Sequence, residues 1–118
     1  MKIGSIVVRC KKFDEMLAFW QEAFHYILKE PAKDGWVILR DPEGRSPNVS
    51  LDKAHDEERL GSTRLPRLHL DLYTDNQADE AKRLLGIGAT RHPQTYDPGD
   101  DFIVLEDPDG NLFCVVQT

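Results

Sequence analysis

The feature that most constrains this chain is that part of it is written twice. The segment Trp36-Val-Ile-Leu-Arg-Asp-Pro-Glu-Gly44 returns as Phe102-Ile-Val-Leu-Glu-Asp-Pro-Asp-Gly110, 66 residues later. A repeat at a fixed offset marks a supersecondary unit used more than once, so it bears on architecture before any single residue does. Upstream of each copy lies a helical pattern, and upstream of that an alternating strand, Ser5 to Cys10 in the first half and Arg67 to Tyr73 in the second. Both halves therefore read strand, helix, strand, strand, strand. The fold class expected is α+β, built from two tandem βαβββ modules over residues 1–51 and 67–118. The stretch 52–66, rich in charge and containing Gly61 and Pro66, reads as a polar linker. With 118 residues in all, the modules share a single domain, 1–118, because one core usually takes roughly 100 to 150 residues.

Local patterns fill in the modules. Phe13, Leu17, Trp20, Phe24 and Ile27 recur at helical spacing and predict a core-facing stripe on the first helix. Thr74-Asp75-Asn76-Gln77 reads as a capping box that opens the second helix, Gly88 as its left-handed end, and Ala78, Ala81, Leu84 and Leu85 as its inner side. The two Asp-Pro-x-Gly tetrapeptides have turn chemistry, since Pro presets one corner and Gly accepts positive φ. Their carboxylates are read as turn-formers between strands and not as catalytic acids or calcium ligands.

Charge and composition exclude some partners. Fifteen Lys and Arg against twenty-one Asp and Glu leave a formal charge of −6, which opposes nucleic acid and anionic lipid surfaces. The apolar run Ile6-Val7-Val8 is far too short for a signal-peptide core or a membrane span of about 20 residues. Two cysteines, Cys10 and Cys114, without a leader are expected as reduced thiols of a cytoplasmic protein.

The paired modules, the two Asp-Pro-x-Gly turns, Ala18-Phe19-Trp20, Leu85-Gly-Ile-Gly-Ala-Thr90 and the ending Asp107-Pro-Asp-Gly-Asn-Leu-Phe113 together resemble the vicinal oxygen chelate superfamily. The likeness is to its glyoxalase-like branch, related to bleomycin-resistance proteins and extradiol dioxygenases. The resemblance implies half-open barrel sheets with helices outside, a ligand cavity on the concave side, and frequent homodimers. In metal-dependent members it also implies a divalent ion held by the first and last strands of the two modules.

Strand alternation decides which side chains can meet in such a cavity. In Arg67 to Tyr73, Leu68, Leu70 and Leu72 are expected on the helix, and His69, Asp71 and Tyr73 on the concave face. Ser5, Val7 and Arg9 are expected on that face in the first module, and Leu112, Cys114 and Val116 in the last strand. At the positions where the resemblance implies metal ligands stand Ser5, Asn48 or Ser50, His69 and Cys114; only His69 keeps the usual ligand type, and Cys114 replaces a glutamate. A His with one thiol, hydroxyls or an amide is a poor cage for a hard ion, although zinc accepts His and Cys together. No cofactor is expected, with zinc on His69 and Cys114 the alternative.

The candidate ligand-binding set is thus Ser5, Arg9, Asn48, Ser50, His69, Asp71, Tyr73 and Cys114. His69 is the candidate catalytic base or acid, oriented by Asp71. Cys114 allows a thiolate nucleophile as well as a small packing residue. Arg9 and Arg40 are candidates for an anionic group or for surface ion pairs, while Trp36 and Phe102 begin equivalent strands at a pocket rim. His25, His55 and His92 fall at none of the ligand positions. Two functions follow: a homodimeric cavity protein that binds a small organic molecule without a conventional metal, or a metal-dependent or His-assisted isomerase or lyase of the glyoxalase type acting on vicinal oxygens.

Overall fold

Nine consecutive residues, Lys2–Cys10, form the first strand, β1, of the computed structural model, which describes residues 1–54 and 67–118. His55, Gly61 and Pro66 of the expected linker lie outside the described residues. The chain divides into two units, Ser5–Leu68 on one side and Met1–Gly4 with His69–Thr118 on the other. Each contains the βαβββ order expected from the repeat, and the protein is α+β.

In the first unit β1 is followed by α1 (Phe13–Phe24), β2 (Ile27–Leu28), β3 (Trp36–Arg40) and β4 (Asn48–Lys53), arranged β2-β3-β4-β1. β1 and β4 run parallel and the other neighbours antiparallel. The register sets Val8 beside Leu51 and Val37 beside Leu51, so one face is apolar. That face makes the core: Cys10, Val37, Val49 and Leu51 close on Phe13, with Met16, Leu17 and Trp20 of α1 packed against them. The expected stripe thus holds for its first three members only. Phe24 and Ile27 are 45% and 39% exposed. The helix stops at Phe24 because His25 turns left-handed (φ 57°), a conformation His adopts more readily than most residues, and Ile27 already belongs to β2. β4 also continues two residues into the expected linker, because Asp52 and Lys53 keep their ladder partners Arg9 and Cys10.

The second unit runs β5 (Leu68–Thr74), α2 (Gln77–Gly86), β6 (Thr90–Arg91), β7 (Phe102–Glu106) and β8 (Leu112–Gln117), with the order β5-β8-β7-β6. Leu72, Val115 and Ile103 share one face, while Asp71, Cys114 and Val104 share the other. Leu105 and Val115 are completely buried, and α2 packs on β8 with Ala81 inward. Three local expectations fail here. The helix cap is Asn76, whose side chain accepts from the Asp79 N–H; the Thr74 hydroxyl instead accepts from the Asn76 N–H, and Gln77 donates to the Asp101 and Val115 carbonyls. Ala78 is exposed. Leu68 and Leu70 are 62% and 38% exposed, because α2 lies over β8 and leaves the start of β5 uncovered.

The repeated turns behave as read. Asp41 accepts from the N–H groups of Glu43, Arg45 and Ser46, and Asp107 from those of Asp109 and Asn111. Gly44 and Gly110 follow at φ 68° and 86°. For Asp41 the Glu43 backbone N–H is the largest cause that holds the carboxyl below its ordinary range; for Asp107 it is the Asn111 side chain.

Candidate functional site

Both units carry polar side chains on the face opposite the apolar one, and they use them differently. In the first unit Ser5 lies beside Asn48 and Val7 beside Ser50 in the β1–β4 ladder. The Ser5 and Ser50 hydroxyls meet at 2.6 Å, and both residues are fully buried. One hydroxyl donates to the other, so both oxygens have a partner within the module, as buried polar groups require. Arg9 Nη2 donates to Asp52 Oδ2 at 3.1 Å, which commits the Arg9 charge to a neighbour on β4. Asn48 is half-buried at the start of β4.

In the second unit alternation along β5 puts His69, Asp71 and Tyr73 on one face, and the ladder sets Cys114 of β8 directly beside Asp71. His69 Nε2 lies 3.3 Å from Asp71 Oδ1, with both side chains mostly buried. Donor atoms of His69, Asp71 and Cys114 all lie within 4.8 Å of one another. Burial first, and then the charge and hydrogen bond of Asp71, push the Cys114 thiol up to about 12. It is therefore protonated near neutrality, which removes the thiolate-nucleophile reading for the metal-free protein. Cys10 is buried, and its burial likewise pushes its thiol up; both cysteines are free thiols. The Tyr73 ring rests against Gly4, where any Cβ would collide with it.

One pair was not foreseen from the sequence. His92 Nδ1 lies 3.1 Å from Glu106 Oε2, both half-buried, because His92 extends the β6 alternation past Arg91 and bonds through its N–H to the Val104 carbonyl. The alternation of Thr90, Arg91 and His92 against the repeat segment was the available signal. Beyond His92 the chain leaves the sheet, and the Tyr96 hydroxyl takes over as acceptor for the Val104 N–H. The Tyr96 ring meets Phe102 edge-on at 5.8 Å. Trp36 is 38% exposed and borders a cavity of about 350 Å³ with Lys29, Lys33 and Ile38, which includes none of the candidate ligand-binding residues.

The positions where the family likeness implies a four-donor metal cage do not fit one. Ser5 and Ser50 are closed on each other, and neither hydroxyl is an anionic donor; His69 and Cys114 are joined instead by Asp71.

Two βαβββ units that carry polar strand faces opposite their cores define the class of α+β protein to which the chain belongs. Residues 5–116 match the model of the glyoxalase-like domain family, and the chain belongs to that family and, with it, to the vicinal oxygen chelate superfamily. No curated protein matches the chain in sequence. Among solved structures, a variant of the methylmalonyl-CoA epimerase of Streptomyces coelicolor, in complex with 2-nitronate-propionyl-CoA, superposes with TM-score 0.71 at 16% identity, covering 98% of this chain and 96% of that one. The methylmalonyl-CoA epimerase of Mycobacterium tuberculosis gives 0.70 at 17%, covering 98% and 86%. A glyoxalase/bleomycin resistance protein/dioxygenase superfamily member from Vibrio splendidus gives 0.62 at 17%, covering 97% of each chain. At these identities the likeness is one of fold. Among the described residues no helix is long and apolar enough to cross a membrane.

Proposed function

We propose that this chain is a glyoxalase-like protein that binds a small organic molecule through the polar face of its second module, without the family's four-donor metal cage. The observation that carries the reading is the Ser5–Ser50 pair: two fully buried hydroxyls hydrogen-bonded to each other at 2.6 Å, at positions where the likeness implies cage donors. His69 and Asp71 supply the hydrogen-bonding groups for the ligand, and Cys114 acts as a neutral thiol beside them. Pairing of two chains is part of the proposal, supported by the exposed apolar side chains Phe19 and Phe24 on α1. A second reading, an isomerase or lyase with His69 moving the proton, is favoured by the 3.3 Å approach of Asp71 to the imidazole.

A thermal-shift screen of chelator-treated protein against small carboxylic, hydroxy and keto acids and acyl-CoA thioesters tests the binding reading, because a ligand of the native state raises its melting temperature. Methylmalonyl-CoA belongs in the first set, since two of the structural neighbours are epimerases of that thioester. A shift seen in chelator and lost in His69→Ala supports metal-free binding. A ligand whose shift survives His69→Ala equally well would overturn the assignment of the face, and turnover of a hit would select the enzymatic reading.

A further inference from the structure

We infer that the polar face of the second module grips its ligand at two ends, with His69 and Asp71 at one and His92 and Glu106 at the other, and that the ligand is a neutral or cationic small molecule carrying a hydroxyl or ammonium donor at each end of an apolar body. The inference rests on the reading above, in which this face holds the ligand.

Register places both pairs on one face. Asp71, Cys114 and Val104 stand side by side across β5, β8 and β7, and two residues along the same strands stand His69, Leu112 and Glu106. His92 continues the β6 ladder beside Val104, where its N–H bonds to the Val104 carbonyl, so its side chain returns to the face that carries Glu106. With neighbouring strands about 4.8 Å apart, β5 and β7 stand roughly 10 Å from each other, and Leu112, Cys114 and Val104 form an apolar floor between the two imidazole–carboxylate pairs. Phe102 follows Val104 on the same face, and the Tyr96 ring meets it edge-on, which gives the floor an aromatic side. The pairs are built alike. Asp71 Oδ1 lies 3.3 Å from His69 Nε2 and Glu106 Oε2 lies 3.1 Å from His92 Nδ1, and all four side chains are between 15% and 32% exposed, too covered for ordinary surface ion pairs and too open to be sealed. The second nitrogen of each ring has no hydrogen bond among the described residues. A neutral imidazole that gives its one N–H to a carboxylate keeps a lone pair on the other nitrogen, so each end offers acceptors, a ring nitrogen and carboxylate oxygens. Arg91, the one Lys or Arg in β5 to β8, alternates to the opposite face beside Leu105. Two carboxylates on strands that bring no Lys or Arg to their face call for donors and disfavour a carboxylate or phosphate ligand.

The test uses the full chain after chelator treatment, with straight-chain α,ω-diols and α,ω-diamines of graded length titrated by calorimetry beside mono-alcohols and α,ω-dicarboxylic acids. Affinity should peak at one length, and there the diol or the diamine should bind roughly 10- to 100-fold more tightly than the mono-alcohol, the worth of one hydrogen bond to a charged group. That advantage should vanish in Glu106→Gln and in His92→Ala, with circular dichroism reporting the variants folded. Glu106→Gln keeps the shape of its side chain and decides the matter where His92→Ala fails to fold. A merely structural role for the pair would weaken diol and mono-alcohol alike. An advantage that survives Glu106→Gln would overturn the second end and leave His69 and Asp71 as the ligand's partners. Dicarboxylic acids that bind better than diols and diamines, or no binding by any diol or diamine, would overturn the ligand class. Binding of the diols and diamines that is unchanged in His69→Ala would overturn this inference together with the reading it rests on.

Discussion

The two modules are alike where they are packed and unlike on the polar faces opposite their cores. Leu39 and Leu105 occupy equivalent places in the repeated segment, and both are completely buried. On the opposite faces the first module joins its hydroxyls to each other and its Arg9 to Asp52, whereas the second sets His69, Asp71 and Cys114 within reach of a common point. A duplicated unit keeps its core because a core tolerates little change in volume, while a polar face that need only be satisfied is free to diverge. Under the proposed function, this difference assigns the ligand to the second module and scaffolding to the first.

The largest effect should come from the shared feature. Leu39→Ala and Leu105→Ala should each cost about 2 to 5 kcal/mol in chemical denaturation, since each empties a sealed site. Costs that differ several-fold would show that the modules are not equivalent as scaffolds.

Next in size is the hydroxyl pair. Ser5→Ala leaves the Ser50 hydroxyl buried without its partner and should cost about 1 to 3 kcal/mol. The double variant Ser5→Ala/Ser50→Ala should cost less than the two single losses added, a coupling that a double-mutant cycle reads directly. Strict additivity would mean that the pair is not closed.

The third effect is a pH dependence of the second module. The Cys114 thiol of the metal-free protein titrates at about 12 when folded, against 9.0 for the ordinary thiol. Between those values the unfolded chain has lost a proton that the folded one keeps, so stability should fall as pH rises from about 9 to 12. Cys10 shifts in the same direction, so a Cys10→Ala background isolates the contribution. In that background Cys114→Ser should flatten the fall, and a slope that persists would assign it elsewhere.

The smallest effect compares the turns. Asp41→Asn and Asp107→Asn should each lower the melting temperature slightly at neutral pH, with the difference from the parent vanishing in acid. Both carboxyls titrate below their ordinary value in the folded chain, so their contribution is present above that value and is lost as pH falls through the folded one.

The repeat made the architecture legible, because turn chemistry at Asp41-Pro-Glu-Gly44 and Asp107-Pro-Asp-Gly110 and the alternation of β1 and β5 are local properties. The faces of the site residues were legible for the same reason: the period of a strand is two. What was hidden depended on coverage and on partners. Leu70 alternates as a core residue, yet the helix that would cover it lies over β8. Phe24 fits the helical stripe, yet the left-handed His25 ends the helix there. The Ser5–Ser50 contact and the adjacency of Asp71 to Cys114 each depend on the register between strands far apart in sequence, which no periodicity encodes.

The claim that the working face belongs to the second module can be put to one measurement, a crystal structure of chelator-treated protein with a ligand from the thermal-shift screen bound. Ligand density within hydrogen-bond distance of His69 or Asp71, with the Ser5 and Ser50 hydroxyls still paired, is the result expected. Ligand density that takes Ser5, Asn48 or Ser50 as partners, or none beside His69, would contradict it.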